Sequence, residues 1–236
     1  MSAPSLSDVL SRARAVLFDF DGPICSVFAD VRAPTIASEL RHLLQRDGHA
    51  LDFGLVDEDD PLDVLRYSQR FGSDVVRQIE DALTEAEVRA VQVAEPTSGG
   101  ARSLRSCVHS GRRAAIVTNN SPQAVFAYLS RCGLAEFAHR VVGRAYAEPH
   151  RMKPNADAVL RALDVLSIEA AEAVLVGDSA SDMDAARAAG TWSIGYANRP
   201  QKRHHLADAD AVIDDMGLLA AGLETDSIHS VGLGTE

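Results

Sequence analysis

The feature that most constrains the fold is a set of short, wholly apolar runs: "AVLF" at Ala15–Phe18, "AAIV" at Ala114–Val117 and "AVLVG" at Ala173–Gly177. Each stops at a polar residue, Asp19, Thr118 or Asp178. A run of that length, apolar at every position and closed by turn-forming residues, reads as a strand buried on both faces. From residue 96 onward such runs alternate with stretches whose apolar residues recur at three- and four-residue spacing. The pattern predicts a helix through "GARSLRSCVHSG", a strand at "RAAIVTNN", a helix at "PQAVFAYLSRCG", a short strand at "RVVG" and a helix at "ADAVLRAL". A strand at "AVLVGD", a helix at "SDMDAARAAG" and strands at "WSIGYA" and "AVI" follow. Strands alternating with helices imply an α/β fold: a Rossmann-like parallel sheet covered on both faces.

Residues 27–95 have a different character. "APTIASELRHLLQRDG", "PLDVLRYSQRFG" and "SDVVRQIEDALTEAEVRAVQVAE" each show helical spacing and end near glycine or an acidic turn, predicting three or four helices and no strand. The expected organisation is a discontinuous core of residues 1–26 and 96–236, interrupted after its first strand by an α-helical cap at 27–95. The tail from 224 to 236, rich in Gly, Ser, Thr and acid, is expected to be flexible.

Composition limits the partners. The 236 residues carry 23 basic and 34 acidic side chains, a net charge of −11, which opposes binding a phosphate backbone over a broad surface; no nucleic-acid partner is expected. No apolar run approaches the roughly 18 residues that span a bilayer, so no membrane partner is expected either. The opening "MSAPSLSDVLSRARAV" lacks a basic start and an apolar stretch, which predicts a cytoplasmic protein. Cys25, Cys107 and Cys132 have no metal-like or redox-like spacing and read as buried or tolerated thiols.

In open parallel sheets the ligand crevice lies beyond the carboxyl ends of the strands. Asp19 and Asp21 follow the first strand, and strand alternation would project both to one side. Two neighbouring carboxylates repel unless a cation or a phosphate-handling task accounts for them. Thr118 follows a second strand and Ser121-Pro122 reads as a helix start, so a hydroxyl and backbone N–H groups face an anion there. Lys153 precedes a helix, and Asp178 and Asp182 lie in a Ser-rich loop that would equally serve to cap the helix after it.

Together, "DFDGP", "VTNN", "KPNADAVLRAL" and "GDSASDMDAARAAG", in this order and with helices inserted after the first, resemble the four motifs of the haloacid dehalogenase superfamily of phosphohydrolases. The resemblance runs from about Arg14 to Leu223, and the inserted helices look like the cap of the subgroup containing phosphoglycolate phosphatases and β-phosphoglucomutases. It implies a Mg²⁺-dependent phosphatase acting on a small phosphorylated metabolite, as a monomer or homodimer. By resemblance, Asp19 is the nucleophile that forms an aspartyl-phosphate, and Asp21 is the acid and base that protonates the leaving alkoxide and then activates water. Thr118 would hydrogen-bond the phosphoryl group, Lys153 would neutralise charge, and Asn119 would offer its backbone N–H. Asp19, Asp178 and the Asp21 backbone carbonyl would hold the metal, with Asp182 coordinating directly or orienting a metal-bound water. A cation is needed because two unit charges 4 Å apart repel by about 4 kcal/mol at an effective dielectric of 20.

The motif departs from the family's usual Gly-Thr-Leu at Gly22-Pro23-Ile24, which removes a hydroxyl and an N–H and is expected to alter the exit toward the cap. In the cap, Arg66, Tyr67 and Arg70 share a predicted helix and offer either a solvated face or contacts to a substrate's polar end. Three alternatives share parts of this pattern: a phosphosugar mutase with the same catalytic residues, a phospho-accepting receiver-like signalling module, and a binding protein on an inactive phosphatase fold. The receiver is usually about half as long and has no helical insertion.

Overall fold

The structure, a computed structural model, describes residues 4–226. Helix α1 (Leu6–Leu10) starts at Ser5, whose hydroxyl accepts from the Asp8 N–H while Asp8 accepts from the Ser5 N–H at 2.9 Å. This reciprocal cap satisfies two donors at the helix start. Strand β1 (Ala15–Phe18) leads to a two-residue strand β2 (Cys25–Ser26). Four helices follow: α2 (Ala33–Arg46), α3 (Phe53–Val56), α4 (Pro61–Ser68) and α5 (Ser73–Ala90). Strand β3 (Glu95–Pro96) then pairs antiparallel with β2, closing the insertion with a ribbon at its two boundaries, where no strand was expected.

The remainder alternates as the periodicity predicts: α6 (Gly100–His109), β4 (Arg113–Val117), α7 (Pro122–Arg131), β5 (Arg140–Val142), α8 (Asp157–Leu166) and β6 (Ala173–Gly177). Then come α9 (Ala180–Ala189), β7 (Trp192–Tyr196), α10 (Lys202–His205), β8 (Ala211–Ile213) and α11 (Met216–Thr225). Six strands form one parallel sheet in the order β5-β4-β1-β6-β7-β8. β1 lies inside it, all four residues fully buried, because its side chains serve both faces. Val16 and Phe18 pack with Ile116, Leu104 and Tyr128 under α6, α7 and α11, whereas Leu17 packs with Val117, Leu175 and Val159 under α8 and α9.

The inserted helices have their own apolar cluster, including Ile36, Leu40, Leu65, Ile79 and Leu83. Its edges do not follow the expected boundaries: Val27, Ala90, Val91 and Ala94 pack in the sheet's cluster, and Met152 from the loop before α8 packs in the helical one. Part of the expected tail is helical. Glu224 and Thr225 complete α11, and Glu224 accepts from Arg102 Nη2 at 2.6 Å and Ser106 Oγ at 2.8 Å. Residues 227–236 of the expected tail lie outside the described residues. Helices α1, α3, α10 and α11 have no counterpart in the sequence reading. No helix among the described residues is long and apolar enough to cross a membrane. Cys25 and Cys107 are buried free thiols, and burial raises the pKa of both, which makes them unreactive.

Candidate active site

Strands β4, β1 and β6 are neighbours, so the residues that follow them meet at one rim of the sheet. There a cavity of about 400 Å³ is lined by Asp19, Asp21, Thr118, Asn119, Lys153 and Asp178, residues drawn from all four sequence motifs. Asp19 continues the sheet through its N–H to the Val176 carbonyl at 2.8 Å. β1 ends at Phe18, so Asp19 and Asp21 reach the cavity from the turn beyond the strand and not by strand alternation. Gly22 takes φ +101°, a left-handed conformation suited to glycine, and a side chain there would run into the Asp178 carboxylate. Where Pro23 removes the usual threonine, another hydroxyl steadies the turn: Thr97 donates to the Gly22 carbonyl at 2.5 Å.

Lys153 is the electrostatic centre. Its side chain is 2% exposed, pairs with Asp19 at 2.9 Å and with Asp182, and donates to the Val117 carbonyl at 3.1 Å. Burial alone would lower its pKa, but the two carboxylates outweigh burial and raise it, keeping the ammonium charged. The Asp19 pKa is raised as well, by burial and the neighbouring Asp182, against the pull of Lys153. Burial lifts Asp21 to about 6, although its carboxylate accepts from the Val27 N–H at 2.9 Å. Asp178 is raised by burial and opposed by Lys202, which contacts its Oδ2 beside Asn198 at 3.1 Å.

Several side chains do something other than what their positions in the motifs imply. Asn119 straps the lysine backbone: Oδ1 accepts from the Lys153 N–H at 2.8 Å and Nδ2 donates to its carbonyl at 3.2 Å. The Thr118 hydroxyl donates to Asn120 Oδ1 at 3.1 Å and accepts from the Asn120 N–H at 3.2 Å. Asp182 is fully buried with both oxygens engaged, Oδ1 by Lys153 and Oδ2 by the N–H and hydroxyl of Ser179. It therefore caps α9 and orients Lys153.

From the cap, Arg66 lines the cavity, pairs with Asp63 at 2.5 Å and donates to the Lys153 carbonyl at 3.0 Å. Arg70 does not reach the cavity wall. It pairs with Asp52 at 2.7 Å and stacks over Tyr67, whose hydroxyl accepts from the Asp52 N–H, so both residues serve the cap's own packing. Phe28, Asp60, Leu62, Ser179 and Ser181 also line the wall without having been singled out in the sequence. Lys202 and Asn198 were missed as well, because nothing local links them to Asp178.

The acids can be tested against a divalent ion. One carboxylate oxygen from each of Asp19, Asp178 and Asp182 lies within 4.8 Å of the others, a hard-oxygen set suited to Mg²⁺. Asp19 and Asp178 each keep one oxygen without a hydrogen-bond partner among the described residues, whereas Asp182 keeps none. The set fits a metal held chiefly by Asp19 and Asp178.

A parallel sheet with an inserted helical cap and an acid-rich rim around a buried lysine defines a class of hydrolase. The family model for haloacid dehalogenase-like hydrolases matches residues 16–196, and the chain belongs to that family. Among relatives, phosphoglycolate phosphatase from Rhodospirillum rubrum is 31% identical, over 87% of this chain and 89% of its own. A plasmid-encoded phosphoglycolate phosphatase from Cupriavidus necator is 29% identical, over 88% and 91%. The fold is shared with CbbY from Rhodobacter sphaeroides in complex with phosphate, at TM-score 0.63 and 20% identity, covering 90% of this chain and 99% of that one. It is shared too with β-phosphoglucomutase from Clostridium difficile, at TM-score 0.64 and 17% identity, covering 88% and 93%.

Proposed function

We propose that the protein is a Mg²⁺-dependent phosphatase that hydrolyses the phosphate monoester of a small metabolite through an aspartyl-phosphate on Asp19. The observation that carries this reading is the meeting of Asp19, Asp21, Thr118, Lys153 and Asp178 around one cavity at three adjacent strand ends. Relatives named as phosphatases along nearly their whole length support the same reaction class.

An Asp19 oxygen attacks phosphorus and the bond to the leaving alkoxide breaks, with Asp21 giving that alkoxide its proton. The same Asp21 then takes a proton from water as water attacks the aspartyl-phosphate, which frees Asp19 and releases phosphate. Burial holds the Asp21 proton nearer neutrality than an ordinary aspartate would. Lys153 offsets the negative charge that gathers on Asp19 and the phosphoryl oxygens, held by Asp182 and strapped by Asn119. Thr118 turns its hydroxyl from Asn120 to a phosphoryl oxygen. Asp19, Asp178 and the Asp21 carbonyl would hold the metal, which when bound would supply positive charge to the attacked phosphate.

The test is release of phosphate from a panel of phosphorylated sugars, glycolate, nucleotides and amino acids, with and without Mg²⁺. Phosphate release that requires the metal is expected, as is its loss in D19N with circular dichroism unchanged. Full turnover by a folded D19N would overturn the assignment, and conversion of β-glucose 1-phosphate to glucose 6-phosphate would point to a mutase.

A further inference from the structure

A buried charge cluster that this chemistry leaves unused stands behind the Thr118 loop. Arg144, just past β5, has a fully buried side chain that donates to Glu80 at 2.6 Å, Glu87 at 2.6 Å, Thr84 at 3.1 Å and the Asn119 carbonyl at 3.0 Å. Glu80, Thr84 and Glu87 sit on one face of α5 across two helical turns, so a helix of the insertion grips an arginine of the sheet domain. Gly143 permits the close approach, since a side chain there would strike the Asn120 carbonyl and the Pro122 ring.

Taking three charges out of water costs several kcal/mol apiece before pairing, and apolar residues of similar size would hold α5 in place more cheaply. The carboxylate at Glu87 does something an apolar residue would not. One oxygen accepts from Asn120 Nδ2 at 3.0 Å and the other from the Ser121 N–H at 2.9 Å. A carboxylate only accepts, so it admits a single orientation of the Asn120 amide, with the NH₂ toward Glu87 and Oδ1 toward the Thr118 hydroxyl. Arg144, Glu87, Asn120 and Thr118 thus form one chain of directed hydrogen bonds.

We infer that Glu87, clamped by Arg144, is a positioning residue for the phosphoryl-binding loop, so that seating α5 on the sheet and setting the Thr118 hydroxyl are a single event. The inference rests on the proposed role of Thr118 in holding the phosphoryl group. Until substrate arrives, Asn120 Oδ1 takes the hydroxyl proton of Thr118 while the Asn120 N–H holds its oxygen in place.

Two variants and one spectroscopic probe test it. E87Q keeps the side-chain length but replaces one acceptor by a donor, so it cannot serve both Asn120 and Ser121. Its kcat for p-nitrophenyl phosphate is expected to fall about tenfold to a hundredfold with KM within about twofold, as misplacement of a transition-state contact would give. Should E87Q fail to fold, the triple variant E80M/E87M/R144M removes all the buried charge and is expected to fold with a lowered Tm, because the Asn120 amide and the Ser121 N–H lose their acceptor, and to show the same loss in kcat. The probe is the ¹⁵N side-chain amide of Asn120, expected to be slow to exchange in the wild type and fast in either folded variant. Wild-type kcat in a folded variant would overturn the proposal, and so would a rapidly exchanging Asn120 amide in the wild type. If the wild type hydrolyses none of the phosphorylated compounds, the phosphatase reading fails, while the amide measurement still decides whether Glu87 holds Asn120.

Discussion

At the scale of single residues, one carboxylate can serve the fold and the chemistry together. Asp182 closes the capping box of α9 with Oδ2 and holds Lys153 with Oδ1, while one of its oxygens lies within 4.8 Å of carboxylate oxygens of Asp19 and Asp178. A helix cap is worth about 1 kcal/mol, whereas a lysine held against a buried nucleophile bears on the reaction itself. Gly22 is the other residue whose identity is dictated locally. G22A would place a methyl group on the Asp178 carboxylate in a backbone conformation that L residues avoid. Its Mg²⁺ affinity is expected to fall at least about tenfold by calorimetry, a difference of about 1.4 kcal/mol. G48A is the control: φ is +86° there, yet nothing lies within 4 Å of the added carbon, so the affinity should hold. Equal affinities for the two variants would show that the space beside Asp178 does not matter.

At the scale of elements, α7 shows how a helix start carries the site. Ser121 caps it by accepting from the Ala124 N–H at 3.3 Å, and Pro122 occupies the first turn, where its missing N–H costs nothing. The Ser121 backbone N–H separately donates to Glu87. S121A removes the cap and keeps that second bond, so a loss of about 1 kcal/mol is expected, a fall in Tm of about 2–4 °C. An unchanged Tm would mean that water replaces the hydroxyl without loss. The inserted helices are likewise joined to the sheet by more than apolar contact: α5 through Glu80 and Glu87, and α4 through Arg66, which reaches the Lys153 carbonyl.

For the whole molecule, Arg112 ties the two ends of the described chain to the sheet. Buried at the entrance to β4, it donates to the Leu10 carbonyl at 3.1 Å, the Ala13 carbonyl at 2.9 Å, Ser110 at 2.9 Å and Asp226 at 2.9 Å. R112M leaves buried carbonyls short of donors and is expected to cost about 2–4 kcal/mol in urea unfolding. R14M, which loses only an exposed pair with Glu172, should cost well under about 1 kcal/mol. Similar losses from both would overturn that ranking.

The sheet and its strand ends were legible because their signals are local. Apolar runs marked β1, β4 and β6, and the residues after them line the cavity as the motifs imply. Helix α11 was not legible, since it is apolar nearly throughout, and the four-residue helices α3 and α10 are too short to show a period. Arg66 and Arg70 lay on one predicted helix with equal claims, but α4 ends at Ser68 and Arg70 falls in the 3-10 turn after it, so one enters the cavity and the other pairs with Asp52.

By itself, the sequence determined the six strands of the parallel sheet, the helices α6 to α9 between them and which acids stand at the strand ends, because period and breakers act over a few neighbouring residues. Tertiary structure alone decided that Asp182 serves Lys153, that Lys202 meets Asp178 and that Glu87 lies behind Thr118. Those partnerships join residues from separate elements, and only the way the elements pack brings their polar atoms within hydrogen-bond reach.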